Sequence, residues 1–171
     1  MPFFKCLPDD AGVGEVFRIN PAVRDGFSAF SQALMRGESP LTEAERETIA
    51  AYTSALNACR FCYGGHAAIA RRFGVEEGVF DALMADIGTA PVADRFKPIL
   101  RFVKKLTLEP YRMVQADADA VFAAGWSERA LHDAILVCAR FNFMNRLTLG
   151  HGLDDDPARF EERTRRMSYN K

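Results

Sequence analysis

The chain has 171 residues, enough for one folded domain with its own hydrophobic core. Its 49% hydrophobic and 26% charged residues are typical of a globular protein. The net charge of −1 argues against a nucleic-acid partner. No apolar run reaches the length of a membrane span, so no membrane partner is expected. Pro8 follows residues 1–5 too closely for a signal peptide, and we therefore expect a cytoplasmic protein.

Residues 1–20 contain no long periodic apolar run. Prolines and glycines interrupt them at Pro2, Pro8, Gly12 and Gly14. This pattern predicts an extended N-terminal arm, suited to pack on a neighbouring subunit. Residues 21–171 are predicted to form a single helical domain.

Apolar residues at helical spacing predict the rest of the chain to be helical. The predicted helices span residues 21–36, 43–57, 59–73, 76–86, 93–108, 116–124 and 128–149, with a solvated terminal helix from residue 154. Pro98 should kink the fifth of these or start its regular part. The helix over residues 128–149 is apolar most of the way round, which predicts a central, buried position. No segment alternates as a strand would, so the predicted class is all-α.

Glu47 stands out in the second predicted helix because the face it shares is made of small side chains. A carboxylate in that position can be drawn into the protein interior. The alternative is a solvated Glu47 in the acidic first turn beside Glu43 and Glu45, and the pattern leaves both open. The small side chains on this face are those of Ala44, Ala51 and Ser54.

The third predicted helix contains the motif C-x-x-C-x-x-x-H, formed by Cys59, Cys62 and His66. If it is helical from about Cys59, the three side chains share one face. A thiol pair at this spacing can close a disulfide, and a helix N-terminus favours thiolate over thiol. His66 lies one turn beyond Cys62 and can take a proton from its thiol. The pattern therefore favours a redox-active dithiol.

The motif allows two other interpretations. A structural zinc site needs four ligands, and the remaining cysteines and histidines form no second tight pair. Two buried structural cysteines with an unrelated histidine are the other alternative.

A helix break at Gly64-Gly65 would spoil the geometry of Cys62 and His66. Cys138 is expected to be a core residue, and no metal or bound cofactor is required.

These residues carry a resemblance to a known family. The run from Leu41 to Glu47 followed by C-x-x-C-x-x-x-H resembles the carboxymuconolactone decarboxylase/AhpD-like superfamily. It looks most like the peroxidase-related, alkylhydroperoxidase-core branch. Residues 99–102, 123–127 and 141–146 are similar to later helices of that branch. The resemblance covers roughly residues 20 to 155.

The resemblance implies an AhpD-like multi-helical bundle that is an obligate oligomer, as a trimer or hexamer. It also implies thiol peroxidase chemistry. By position, Cys62 corresponds to the peroxide-attacking cysteine and Cys59 to the resolving one, with Glu47 and His66 as a proton relay. One position departs from the pattern, because AhpD has a second histidine between the cysteines where this chain has Phe61.

The expected function is therefore thiol-dependent reduction of organic hydroperoxides. An external dithiol of lipoyl or thioredoxin type would restore the reduced cysteine pair. The alternative expectation is a disulfide reductase or a redox-sensing helical module that does not turn over peroxide.

Overall fold

The computed structural model describes residues 1–153, and every regular element within them is helical. This confirms the all-α prediction. The predicted terminal helix lies outside the described residues. No helix in residues 1–153 is both long and apolar enough to cross a bilayer. The helices of this range are α1 (Val13–Arg18), α2 (Pro21–Arg36), α3 (Glu43–Leu56), α4 (Arg60–Arg72), α5 (Val79–Ala85), α6 (Lys97–Leu108), α7 (Gln115–Ala123) and α8 (Glu128–Gly150), with 3-10 turns at Asp94–Phe96 and Pro110–Arg112.

Local sequence signals explain where the helices begin. Pro21 is the first residue of α2, where its missing N–H is not needed. At α3, the Thr42 hydroxyl accepts a hydrogen bond from the Glu45 backbone N–H at 3.1 Å, and the Glu45 carboxylate accepts one from the Thr42 backbone N–H at 2.8 Å. Pro98 stands in the first turn of α6, so it starts the helix and does not kink it. The helix predicted from residue 76 begins only after Gly78, whose φ of +83° is left-handed.

The helix that lies at the centre of the domain is α3. Its residues 46–54 are all buried, and it packs against α2, α4, α5, α6 and α8. The small side chains of α3 allow these helices to approach closely. Helix α8 was expected to be the buried one, but it keeps an exposed face that includes His132 and Phe143. The central position of α3 places Glu47 in the interior of the domain.

A short link turns the chain from α3 into α4. The backbone N–H of Cys59 donates to the Ser54 carbonyl at 2.9 Å, and Ala58 takes a left-handed φ of +53°. This conformation is uncommon for a residue other than glycine. It reverses the chain direction within three residues. Helix α4 therefore runs back beside α3, with Cys59 at the turn.

The prediction of an extended arm over residues 1–20 is wrong for its second half, because Val13–Arg18 forms α1. The segment packs on its own chain. The Phe3 backbone N–H donates to the His151 carbonyl at 2.9 Å, and the Phe4 ring stacks on the His151 ring. These contacts are non-local, so the periodicity of the short segment did not reveal them. The buried apolar residues of the segment are Leu7, Ala11, Val16 and Phe17.

Candidate active site

The two cysteines of the motif lie at the start of α4 as free thiols. Cys59 is the residue just before the helix and Cys62 is in its first turn, with 1% and 6% of their surfaces exposed. The helix continues without a break through Gly64 and Gly65. His66 is therefore held one turn beyond Cys62 on the same face, as the spacing predicted.

Helix α8 and the N-terminal segment enclose the dithiol. The Thr148 hydroxyl oxygen on α8 lies 3.2 Å from Cys59 Sγ and 3.5 Å from Cys62 Sγ. Apolar side chains form most of the rest of the enclosure. Its side chains are those of Val13, Phe17, Phe27, Phe61, Met144 and Leu147.

The two sulfurs differ in their ease of ionisation. A hydrogen bond from the Cys62 thiol lowers the pKa of Cys59 to about 6. Burial opposes this shift, and the Thr148 hydroxyl adds to it. The same hydrogen bond, together with burial and the charge on Cys59, raises the pKa of Cys62 well above its ordinary value. The two thiols are therefore coupled, and these shifts favour Cys59 as the sulfur that loses its proton first.

Glu47 is fully buried, with 0% of its surface exposed. Its Oε2 lies 2.7 Å from His66 Nδ1, and its Oε1 accepts a hydrogen bond from Arg36 Nη2 at 2.7 Å. This confirms the buried alternative and brings Glu47 into direct contact with His66. Burial raises the pKa of Glu47, but the charges and hydrogen bonds of His66 and Arg36 outweigh burial and leave the pKa below its ordinary value. Glu47 is therefore ionised at neutral pH.

His66 is buried beside this carboxylate. Burial and the positive charges of Arg140 and Arg36 lower the pKa of His66, and Glu47 raises it. The net result is a pKa below the ordinary value. The ring is therefore neutral at pH 7. Its Nδ1–H donates to Glu47, which leaves the lone pair on Nε2 as the proton acceptor. The edge-to-face contact with Phe141, at 4.3 Å between ring centroids, holds the ring in place.

Sequence reasoning missed two residues of this site, Arg36 and Thr148. Arg36 ends α2 and also lies 3.6 Å from a Glu43 oxygen and 5.0 Å from the Phe73 ring centroid. It belongs to a helix outside the motif, and Thr148 is 89 residues from Cys59 along the chain. No spacing rule connects either residue to the dithiol. Only the packing of the helices brings them there.

Outside this site, Cys138 is buried in the core, as expected. Its sulfur lies 3.3 Å from the Thr107 hydroxyl, and burial raises the pKa of this thiol. Cys6 is exposed on the N-terminal segment. Residues 1–153 contain no cluster of three or more Cys, His, Asp or Glu side chains arranged to hold a metal ion.

The buried pair predicts how stability depends on pH. The folded state lowers the pKa of His66 below its ordinary 6.5, so the unfolded chain binds this proton first as the pH falls. The contribution of His66 to stability should be fully present above pH 6.5 and decline below it, by at most about 1.4 kcal/mol per pH unit. The lowered pKa of Glu47 should add a second loss below pH 4.5. Urea denaturation at a series of pH values measures both.

A matched pair of variants assigns the first loss. His66→Gln should flatten the dependence between pH 6.5 and 4.5, whereas His132→Gln, at an exposed position on α8, should leave it as in the wild type. An equal dependence in wild type and His66→Gln would contradict the assignment.

Comparisons with known proteins agree with this geometry. The family model for the carboxymuconolactone decarboxylase family matches residues 21–103, which include Glu47 and the C-x-x-C-x-x-x-H motif. No protein with a curated description matches the sequence.

Three solved structures share the fold. A peroxidase-related protein from Silicibacter sp. TM1040 is 28% identical, with a TM-score of 0.76 over 82% of this chain and 73% of that chain. An alkylhydroperoxidase AhpD core protein from Ralstonia eutropha JMP134 is 28% identical, with a TM-score of 0.78 over 86% of this chain and 78% of that chain. A cysteine-to-alanine variant of the debrominase Bmp8, solved with 2,3,4-tribromopyrrole, has a TM-score of 0.71 over 86% of this chain and 79% of that chain. At 16% identity it shows the fold alone.

The family match includes α3 and α4, which carry Glu47 and the C-x-x-C-x-x-x-H motif, and the two more similar structures are named as peroxidase-related. Over residues 21–103 the chain matches the carboxymuconolactone decarboxylase family, and it shares the fold of AhpD-like, peroxidase-related structures.

Proposed function

We propose that the protein is a thiol-dependent hydroperoxide reductase that acts on organic hydroperoxides through Cys59 and Cys62. The observation that supports it most directly is a buried dithiol one helical turn from the neutral His66 ring, which Glu47 orients at 2.7 Å. The names of the two structures at 28% identity also support peroxide chemistry. The apolar enclosure of the thiols favours an organic substrate over a charged one.

The first half of the proposed cycle reduces the peroxide. The Cys62 sulfur attacks the terminal oxygen of the hydroperoxide, an S–O bond forms and the O–O bond breaks. The Cys62 proton passes to His66 and on to the leaving alkoxide, which becomes an alcohol. Because the resting charge lies on Cys59, this attack requires the Cys62 proton to move first, either to His66 or to Cys59.

The second half regenerates the dithiol. The Cys59 sulfur attacks the sulfenic acid on Cys62, an S–S bond forms and the oxygen leaves as water. An external dithiol of lipoyl or thioredoxin type then reduces the disulfide and is itself oxidised. No bound cofactor takes part in either half.

Single cysteine variants test these roles. Cys62→Ser should abolish peroxide reduction, since the attacking sulfur is gone. Cys59→Ser should consume about one peroxide per subunit and then stop as the sulfenic acid, because no thiol resolves it. Peroxide consumption with dithiothreitol, together with mass spectrometry of the oxidised chain, measures both outcomes. A single turnover by Cys62→Ser and none by Cys59→Ser would reverse the two roles.

A second candidate function is disulfide reduction or redox sensing without peroxide turnover. The lowered pKa of Cys59 favours it, because a thiolate near neutral pH suits thiol–disulfide exchange equally well. The same assay separates the candidates. Continuous peroxide consumption supports a peroxidase, whereas oxidation of the dithiol without turnover supports a sensor.

Glu47→Gln tests the proposed proton relay. The amide keeps the shape of the side chain but removes the charge that makes His66 a better base, so the Cys62 thiol should lose its proton less readily. The rate of reaction with peroxide at neutral pH should fall about 10- to 100-fold. Stopped-flow kinetics measure this rate, and circular dichroism checks the fold.

Glu45→Gln is the matched control for this variant. Glu45 is in the first turn of the same helix, and glutamine also satisfies a capping box, so this variant should react at the wild-type rate. If Glu45→Gln reacted slowly with peroxide while Glu47→Gln reacted at the wild-type rate, Glu47 would not be the carboxylate of the proton relay.

We also propose that the protein is a homo-oligomer, as a trimer or hexamer. An aromatic patch on α2 and α8 supports this, because Phe30 and Phe143 are 40% and 47% exposed and both rings contact Phe27. Light scattering should show an oligomer, and Phe143→Glu should shift it towards smaller species. Tyr111→Glu, at an exposed ring after α6, should not. A wild-type monomer of 19.1 kDa at micromolar concentration would contradict the proposal.

A further inference from the structure

Two buried polar side chains on α8, Asn145 and Thr148, are one helical turn apart, and the Thr148 hydroxyl lies against the dithiol. The Thr148 oxygen is closer to Cys59 Sγ, at 3.2 Å, than to Cys62 Sγ, at 3.5 Å. The polar groups of the relay, Glu47 and His66, belong to α3 and α4. The donors on α8 are thus a separate set.

The Thr148 hydroxyl can act as a donor or as an acceptor. Its oxygen lies 3.0 Å from the Met144 carbonyl oxygen and 3.1 Å from the Asn145 carbonyl oxygen. While the nearby thiol is protonated, the hydroxyl can donate to a carbonyl and accept the S–H. When that sulfur loses its proton, rotation about one bond turns the hydroxyl into a donor to the thiolate.

The Asn145 amide is oriented by its neighbours. Its Oδ1 accepts a hydrogen bond from Asn57 Nδ2 at 2.9 Å, and its Nδ2 donates to Ser54 Oγ at 3.0 Å. Oδ1 is thus occupied by Asn57, and the NH₂ group is the part of the amide available to stabilise negative charge. A hydrogen bond from the Asn145 side chain lowers the pKa of both Cys59 and Cys62.

We propose that the Thr148 hydroxyl and the Asn145 amide form an anion-stabilising site that holds the charge of the reduced dithiol on Cys59. The role of this site in turnover rests on the proposed redox function, whereas the position of the charge does not. Thr148 touches a reacting sulfur, so it is a catalytic residue in this scheme. Asn145 is its second donor, and Asn57 positions Asn145.

The site has a consequence for the reduction of the disulfide. A thiolate of the external dithiol attacks Cys62 Sγ and forms a mixed disulfide with it. The Cys59–Cys62 bond breaks, and its electron pair leaves on Cys59 Sγ, where the α8 donors receive it. The second thiol of the reductant then releases Cys62. A leaving sulfur with a lower pKa departs faster, so the α8 site accelerates the first of these steps.

Other charged groups surround the Glu47–His66 pair and remain unchanged in the test. They come from α2, α3, α4 and α8, and they influence one another's pKa values. These groups are Arg36, Glu47, His66 and Arg140.

The test titrates Cys59 alone. In a Cys6→Ser, Cys62→Ser background, the thiolate absorbance reports Cys59, because Cys138 has a raised pKa and ionises only at higher pH. Thr148→Val keeps the shape but removes the hydroxyl, and it should raise the midpoint by about one pH unit or more. Thr148→Ser, which keeps the hydroxyl, should restore it. Asn145→Asp, which loses both N–H donors, should also raise the midpoint.

Thr107→Val is the matched control. The Thr107 hydroxyl also bonds to a carbonyl four residues earlier, at 2.8 Å, and also touches a cysteine, Cys138, at 3.3 Å. This variant should leave the Cys59 midpoint unchanged. In the protein with both cysteines, Thr148→Val should slow reduction of the disulfide by dithiothreitol about threefold.

A midpoint that stays at the wild-type value in folded Thr148→Val and Asn145→Asp would overturn the inference. The inference would also be overturned if the thiol of Cys62, titrated in Cys59→Ser, had a lower midpoint than the thiol of Cys59, titrated in Cys62→Ser. The titration contains no peroxide. A protein that shows the expected midpoints but turns over no hydroperoxide would therefore support this site and refute the proposed peroxidase.

Discussion

The structure depends on one buried charge, the carboxylate of Glu47 at the centre of α3. A carboxylate without partners costs several kcal/mol in such a place, and here Arg36 and His66 each bind one of its oxygens at 2.7 Å. These two contacts join α2, α3 and α4 at a single point. They also determine the tautomer of His66. An ionised Glu47 accepts a hydrogen bond from Nδ1–H, which leaves the lone pair on Nε2. The same interaction therefore holds the helices together and prepares the site.

The site contains two different sets of polar groups. The ionised Glu47 and the neutral His66 belong to α3 and α4. The Thr148 hydroxyl of α8 lies against the sulfurs and can donate a hydrogen bond to a thiolate, but it cannot take up a proton at neutral pH. In the proposed scheme, this division lets one sulfur keep the charge while the other exchanges its proton. The difference in pKa between Cys59 and Cys62 arises first from the hydrogen bond between the two thiols, which lowers the pKa of Cys59 and raises that of Cys62.

The fold by itself does not decide the chemistry. Proteins named as peroxidase-related and a debrominase share this arrangement of helices, the first at 28% identity and the second at 16%. Function has to be argued from the side chains that the helices bring together. In this chain they are a dithiol, a histidine that is neutral because it is buried near two arginines, and a carboxylate that stays ionised because it is paired.

The sequence by itself determined the helical class, most helix boundaries and the common face of Cys59, Cys62 and His66, because periodicity, capping residues and motif spacing act over a few residues. It left the burial of Glu47 open and misjudged residues 13–18, since both depend on contacts with distant parts of the chain. Arg36 and Thr148 enter the site only through packing, 11 residues from Glu47 and 89 residues from Cys59. The tertiary structure alone decided which groups ionise, because pKa values depend on burial and on charges across helices.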